Sequence, residues 1–197
     1  MNHSAKTEPQ GIDPQDCIVL FADLQSGIVD LTKTLTLDQL QKGVLALSRL
    51  ATLFEMPVIV TGIRGQDGSD ANMIPQIAEG AGEYTILHRT TCDSFRNSDI
   101  VSAIRASGRK TLLISGVATE LAVQLPALSA AEQGFRVFVV VDACGGMSER
   151  TEQAALRRIA LAGGSTVSVM TLAGEFAGDF REPRAQKAIG ILYEMAG

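Results

Sequence analysis

The stretch T-L-L-I-S-G-V-A-T-E-L-A-V-Q-L-P-A-L-S-A-A-E-Q-G-F-R-V-F-V-V-V-D-A, residues 111–143, reads as strand, turn, helix and strand. TLLISG (111–116) is a short apolar run, and Gly116 permits a tight turn behind it. Residues 121–133 follow as a helix, closed by Gly134. FRVFVVVDA (135–143) is a second strand, rich in β-branched residues. Strands that read apolar on both faces belong inside a parallel sheet covered by helices.

The same alternation extends in both directions. CIVLFAD (17–23) is a nearly unbroken apolar strand ending in a carboxylate. Residues 35–53 follow as a helix, with Leu40, Val44, Leu45, Leu47 and Leu50 at helical spacing. PVIVTGI (57–63) is the second strand, followed by a Gly/Asp loop, IRGQDGSDAN (63–72). Residues 84–87 read as a short third strand and 99–106 as a short helix ended by Gly108. Beyond residue 143 come a helix over 148–162, a sixth strand STVSVMTL (165–172) and a last helix near 183–195. Repeated β-α-β units of this kind predict an α/β fold, a parallel sheet with right-handed crossovers and helices on both faces. Residues 1–15 read as a flexible N-terminal tail and 16–197 as a single domain, with no internal repeat and no dividing linker.

Composition narrows the partners. Asp+Glu number 22 against 17 Lys+Arg, a net charge of -5, and there is no basic block, which argues against general nucleic-acid binding. Trp is absent and aromatics are 5%, too few for a base-stacking surface. No apolar run reaches the roughly 18–20 residues of a membrane span. The opening MNHSAKTEPQGIDPQD is polar and has no signal-peptide segment, so a cytoplasmic location is expected. Cys17, Cys92 and Cys144 are too irregularly spaced for a disulfide framework or a zinc knuckle, and His3 and His88 are too few for a histidine-rich metal site.

In doubly wound sheets, ligands sit beyond the carboxyl ends of the strands, where the strand order reverses. That places Asp23 and Gln25, Arg89, Thr119 and Glu120, and Asp142 and Cys144 under scrutiny. Asp23 is either a capping carboxylate or a general base tuned by burial. Gln25 either orients it or is a loop amide. Arg89 is a surface arginine or a fixed cation for a carboxylate or oxyanion. The helix start after Gly116 presents backbone N–H groups to an anion. Pro126 would fall past the first helical turn if Thr119 were the cap, so the helix starts later or is kinked there.

These segments resemble the isochorismatase-like cysteine hydrolase superfamily, whose pattern is G-V-x-T-[DE]-x-C-V, a helix, then G-[FY]-x-V-x-V-V-x-D-A. Here the residues are Gly116-Val117-Ala118-Thr119-Glu120-Leu121-Ala122-Val123, then Gly134 to Ala143. The early V-x-D-x-Q element matches Phe21-Ala22-Asp23-Leu24-Gln25, and Pro126–Phe135 is similar to the YcaC-related branch. The resemblance implies a three-layer, Rossmann-like domain with strand order 3-2-1-4-5-6. It implies an Asp/Lys/Cys triad cleaving C–N bonds of a small molecule, with Asp23 as acid/base and the Lys position held by Arg89. It also implies a cis peptide at Val117-Ala118 and an oxyanion hole around Val117, Ala118 and Ala122. Gln25, Phe95, Thr119 and Cys144 are the candidates for the substrate pocket.

The nucleophile position is Ala122, and a methyl group cannot attack a carbonyl. Four explanations follow: an engineered Cys→Ala replacement, a natural relative that binds or scaffolds without catalysis, chemistry without a thiol, or another thiol in its place. True isochorismatases, with Gly at this position, illustrate the third; Cys144 or Cys92 would serve the fourth. Nicotinamidase relatives bind zinc near strand two with an Asp and two His; residues 61–72 hold no histidine, so neither metal nor cofactor is expected. The family forms dimers, tetramers or octamers. The segment IGILYEMAG (189–197) would serve a homo-oligomer interface or pack as an amphipathic helix on its own domain.

Overall fold

The computed structural model describes residues 11–82 and 84–196. Six strands form one sheet: β1 (Cys17–Ala22), β2 (Val58–Gly62), β3 (Thr85–His88), β4 (Thr111–Val117), β5 (Arg136–Gly145) and β6 (Ser165–Val167). All pairings are parallel, in the expected order β3-β2-β1-β4-β5-β6. The helices are α1 (Leu37–Leu53), α2 (Pro75–Ala81), α3 (Ser98–Ala106), α4 (Gln124–Glu132), α5 (Glu149–Leu161), α6 (Val169–Ala177) and α7 (Pro183–Ala196).

Period-two alternation along β1 divides the core into two layers. Val19 and Phe21 face Leu40, Val44 and Leu47 of α1, Ile77 of α2, Leu172 of α6 and Ala185 of α7. Ile18 and Leu20 face Ile100 and Ile104 of α3, Ala127 and Ala130 of α4, and Ile159 of α5. Both faces of the central strands are therefore covered, which explains their unbroken apolar sequence.

Several element boundaries differ from the sequence reading, each for a local reason. The first helix starts at Leu37, not residue 35, because Thr36 and Gln39 form a reciprocal cap: Thr36 Oγ1 accepts from the Gln39 N–H at 3.2 Å and Gln39 Oε1 from the Thr36 N–H at 2.9 Å. Between the loop read over 63–72 and the third strand, where the sequence reading assigned no element, Pro75 opens α2 at a position where its missing N–H costs no helical bond. The run 165–172 is a strand only as far as Val167. Ser168 then caps α6, its Oγ accepting from the Thr171 N–H at 3.0 Å, and Asp142 Oδ1 accepts from the Val169 N–H at 2.8 Å. Pro126 is accommodated by a π-helical turn, Thr119–Val123, before α4 begins. The turn closes with the Gln124 N–H donating to the Thr119 carbonyl, and α4 then begins two residues before the proline, which falls in its first turn where no N–H partner is required.

Of the tail expected over residues 1–15, the first ten residues lie outside the described residues. From Gly11 onward the chain is attached to the domain. The Ile12 N–H donates to Glu175 Oε2 at 2.8 Å, the Ile12 side chain is buried, and Pro14–Asp16 form a 3₁₀ turn into β1. At the other end, Ile191, Leu192 and Met195 of α7 pack on the core. The opposite side of the helix is open: Tyr193 is 76% exposed, and with Phe180, Gln186, Ile189 and Gly190 it lines a surface groove of about 390 Å³.

Asp142 ties β5 to α6 at an electrostatic cost. Burial raises its carboxyl above the ordinary value, against the opposing hydrogen bond from Val169. A raised folded-state value means that the folded chain holds the proton more tightly than the unfolded chain. Stability therefore falls as pH rises through the carboxylate range. Asp142→Asn keeps an acceptor for Val169 without the charge. It is expected to raise the thermal midpoint at about pH 8 and to lose that advantage near about pH 3, as read by melting curves across that range.

Candidate active site

The site is assembled where β1, β3 and β4 end. Gly116 and Ala22 are paired in the sheet, and a Cβ on Gly116 would lie 2.1 Å from the Ala22 carbonyl oxygen. Gly116 is thus required for the close approach of β1 and β4. It lies within the strand, not in the tight turn expected from the sequence. One residue further on, Asp23 leaves β1 with φ +56°, a left-handed backbone that Asp tolerates better than most side chains. Its N–H still donates to the Thr61 carbonyl at 2.9 Å. On the neighbouring strand the peptide between Val117 and Ala118 is cis. The register sets Asp23 level with this peptide.

Arg89 follows β3 and reaches across β2 to Asp23. Its N–H donates to the Gly62 carbonyl at 2.9 Å. Its Nε donates to Asp23 Oδ1 at 2.8 Å and its Nη2 to Asp23 Oδ2, a bidentate pair. Asp23 is 3% exposed and Arg89 7%. Burial works against the Arg89 charge, but hydrogen bonds and the charge of Asp23, with a further contribution from Cys92, hold the guanidinium above its ordinary value. The remaining Nη1 donates to the Thr91 carbonyl at 2.5 Å. All three guanidinium nitrogens are therefore engaged, and the cation is fixed in place.

Ala122 lies in the π-helical turn that follows the cis peptide, and it is 2% exposed. The Leu121 and Ala122 N–H groups both donate to the Ala118 carbonyl at 3.0 Å. An oxyanion here competes with that carbonyl for the two donors. The turn is braced from α5, because Thr119 Oγ1 donates to Glu152 Oε1 at 2.7 Å. Glu120 Oε1 accepts from the Met147 N–H at 2.9 Å and from Thr151 Oγ1 at 2.5 Å. Glu152 was missed in the sequence reading. It stands in the first turn of a well-capped helix, and no spacing reveals which face of that helix meets residue 119.

The other pocket candidates have structural partners. Gln25 grips the loop after β2: its Oε1 accepts from the Ile63 N–H at 2.7 Å and its Nε2 donates to the Ile63 carbonyl at 2.9 Å. Phe95 is buried, edge-on to Phe135 at 5.8 Å between ring centroids. Cys144 lies in the core on the α3–α5 side of the sheet, and burial pushes its thiol far above the ordinary range. Burial and the raised thiol make Cys144 a poor nucleophile in the folded chain. Among the described residues, no group of three His, Cys, Asp or Glu side chains is placed to hold a metal ion, and no helix is long and apolar enough to cross a membrane.

A parallel sheet in this order, with an acid and a cation paired at the reversal point, defines a doubly wound α/β protein. Residues 17–172 match the isochorismatase domain, so the chain belongs to the isochorismatase-like superfamily, in its YcaC branch. The probable hydrolase YcaC of Escherichia coli K12 is 36% identical over 171 residues, 86% of this chain and 82% of that protein. YcaC from Pseudomonas aeruginosa, solved with hexane-2,5-diol and covalent acrylamide, superposes with a TM-score of 0.87 at 32% identity, over 97% of this chain and 96% of that one. The E. coli structure, described as an octameric hydrolase of unknown specificity, superposes at 0.84 with 34% identity, over 96% and 91%.

The Asp23–Arg89 pair carries a stability consequence. Removing one partner of a buried ion pair strands the other charge, so Arg89→Ala is expected to destabilise the fold by about 3–5 kcal/mol in denaturant titration. Replacing both residues by Ala is expected to cost clearly less than the sum of the two single changes.

Proposed function

We propose that this crevice binds a small amide, with Asp23 as acid/base and Arg89 as electrostatic clamp. The reading is carried by one observation: the bidentate Asp23–Arg89 pair sits at the reversal of the sheet, level with the Val117-Ala118 cis peptide. Asp23 takes or returns a proton, and Arg89 opposes negative charge on the bound carbonyl oxygen. The amides around Ala118–Ala122 supplement Arg89. The P. aeruginosa relative is described with a covalent acrylamide, and a small amide is the ligand class adopted here.

The thioester route needs a sulfur at position 122, and Ala122 has none. In this reading the fold and the clamp are those of an amide hydrolase, while the chain as it stands is impaired at that position. Ala122→Cys is expected to confer hydrolysis on at least one member of a panel of small amides, followed by release of ammonia or amine. Equal activity with and without the change contradicts the vacant-nucleophile account.

A second reading is a ligand-binding or scaffold protein on the same fold. It is favoured by the open apolar groove at Phe180, Ile189 and Tyr193. We assign this groove to a second copy of the chain, because the E. coli relative is described as octameric. Tyr193→Glu places a charge in that contact and is expected to lower the assembly mass in light scattering without lowering the helix content. An unchanged mass contradicts the assignment. The three free thiols fit the reducing cytoplasm in which we place the protein.

A further inference from the structure

We propose that a hollow at the amino ends of β4 and β5 binds a small organic phosphate that carries a flat ring. It lies at the opposite end of the sheet from Asp23 and Arg89. The seven residues of β4 put roughly 20 Å between the two places, so this is a separate site.

The hollow is built by two neighbouring turns. One leads from α3 into β4 and the other from α4 into β5. Thr111 and Arg136 pair where the two strands begin, and the Arg136 N–H donates to the Lys110 carbonyl at 2.9 Å. The cavity holds about 290 Å³. Arg105, Arg109 and Lys110 line it from the first turn, and Gln133 and Phe135 from the second. Each turn adds a glycine to the lining, Gly108 at φ +72° and Gly134 at φ +88°. A Cβ on either would meet nothing within 4 Å, so the hollow is open at both.

Three cations thus face one cavity in a chain of net charge -5. Among the described residues, none of the three forms an ion pair with a carboxylate. Arg105 Nη2 donates to Gln133 Oε1 at 2.9 Å, a bond to a neutral group that ties the two turns together. Of Arg109 and Lys110, only the backbone N–H groups are engaged, with Ser107 Oγ and with Asp16. Asp16 is itself occupied: Oδ1 accepts from the Lys110 N–H at 3.1 Å and Oδ2 from Thr111 Oγ1 at 2.8 Å. Glu132, at the end of α4, is exposed to water.

The cations are not required to close the helices. The Gly108 N–H donates to the Arg105 carbonyl at 3.0 Å, the Gly134 N–H to the Ala131 carbonyl at 3.0 Å and the Phe135 N–H to the Ala130 carbonyl at 3.1 Å. The two helix ends, each equivalent to about half a negative charge, offset the three positive charges only in part. A hollow lined by one sign of charge concentrates ligands of the other sign.

The aromatic wall narrows the class. Phe135 is half-buried, and its ring is held edge-on to Phe95 at 5.8 Å between centroids. It gives a flat apolar group a surface beside the cations. A phosphate monoester brings about −1.5 to −2 charge and three acceptor oxygens. That suits the fork of an arginine and the ammonium of a lysine together, where a carboxylate has one charge and two oxygens to share.

The full-length protein is titrated with phenyl phosphate by calorimetry at low salt. One site per chain is expected, with Kd below about 1 mM. High salt is expected to weaken binding at least about threefold. Methyl phosphate lacks the ring and benzoate lacks the second charge, so each is expected to bind less tightly. Changing both Arg109→Gln and Lys110→Gln is expected to weaken phenyl phosphate at least about tenfold, with circular dichroism reporting the fold. A crystal grown with phenyl phosphate places the ligand without any substitution, and density is expected between Lys110 and Phe135. If the double variant is unfolded, the crystal decides. A Kd above about 1 mM overturns the proposal. So does undiminished binding to a folded double variant, methyl phosphate or benzoate binding as tightly as phenyl phosphate, or density only elsewhere, the Arg89 crevice included.

Discussion

Two opposite charges, almost stripped of water, govern the carboxyl end of this sheet. Asp23 and Arg89 stand on strands separated by β2, and the pair closes only because β1 and β3 both flank that strand. A buried ion pair owes its existence to geometry, since each charge alone would be costly to bury. The backbone at Asp23 turns into the left-handed region, and Arg89 is tethered through both its N–H and its third guanidinium nitrogen. The opposite wall is fixed by packing. Gly116 lets β1 and β4 approach, and hydroxyl–carboxylate contacts from α5 hold the turn that carries Ala122.

Most of the fold was legible because it rests on period and length. The unbroken apolar strands at 17–22 and 111–117 are short and separated by helical spacing, a pattern with few solutions other than a covered parallel sheet. The misreadings fall where a local signal competes with a distant contact. STVSVMTL is β-branched enough to suggest a full strand, but Ser168 and Asp142 stop it after three residues. Asp142 is 27 residues from its partner, so no window of sequence contains that cap. Pro126 announced an irregular helix start, yet only the backbone shows that a π-helical turn resolves it.

The candidate site was legible in composition more than in contact. Asp23, Arg89 and Ala122 stand out at the ends of strands, and motif resemblance gives them roles. What the residues alone leave open is that Arg89 grips both oxygens of Asp23, that Gln25 is occupied by Ile63, and that Cys144 faces the core. Each depends on which way a side chain leaves a strand end, where the period-two rule stops applying.

The central claim is that Asp23, Arg89 and the turn at Ala122 form a single ligand-binding crevice. A crystal structure of the protein grown with excess acrylamide tests it most directly. The account predicts density for the amide between the Asp23–Arg89 pair and the Val117-Ala118 peptide, with its carbonyl oxygen toward Arg89 or the amides of the turn. Density confined to other surfaces, or Asp23 and Ala122 side chains directed to opposite sides of the sheet, would contradict it.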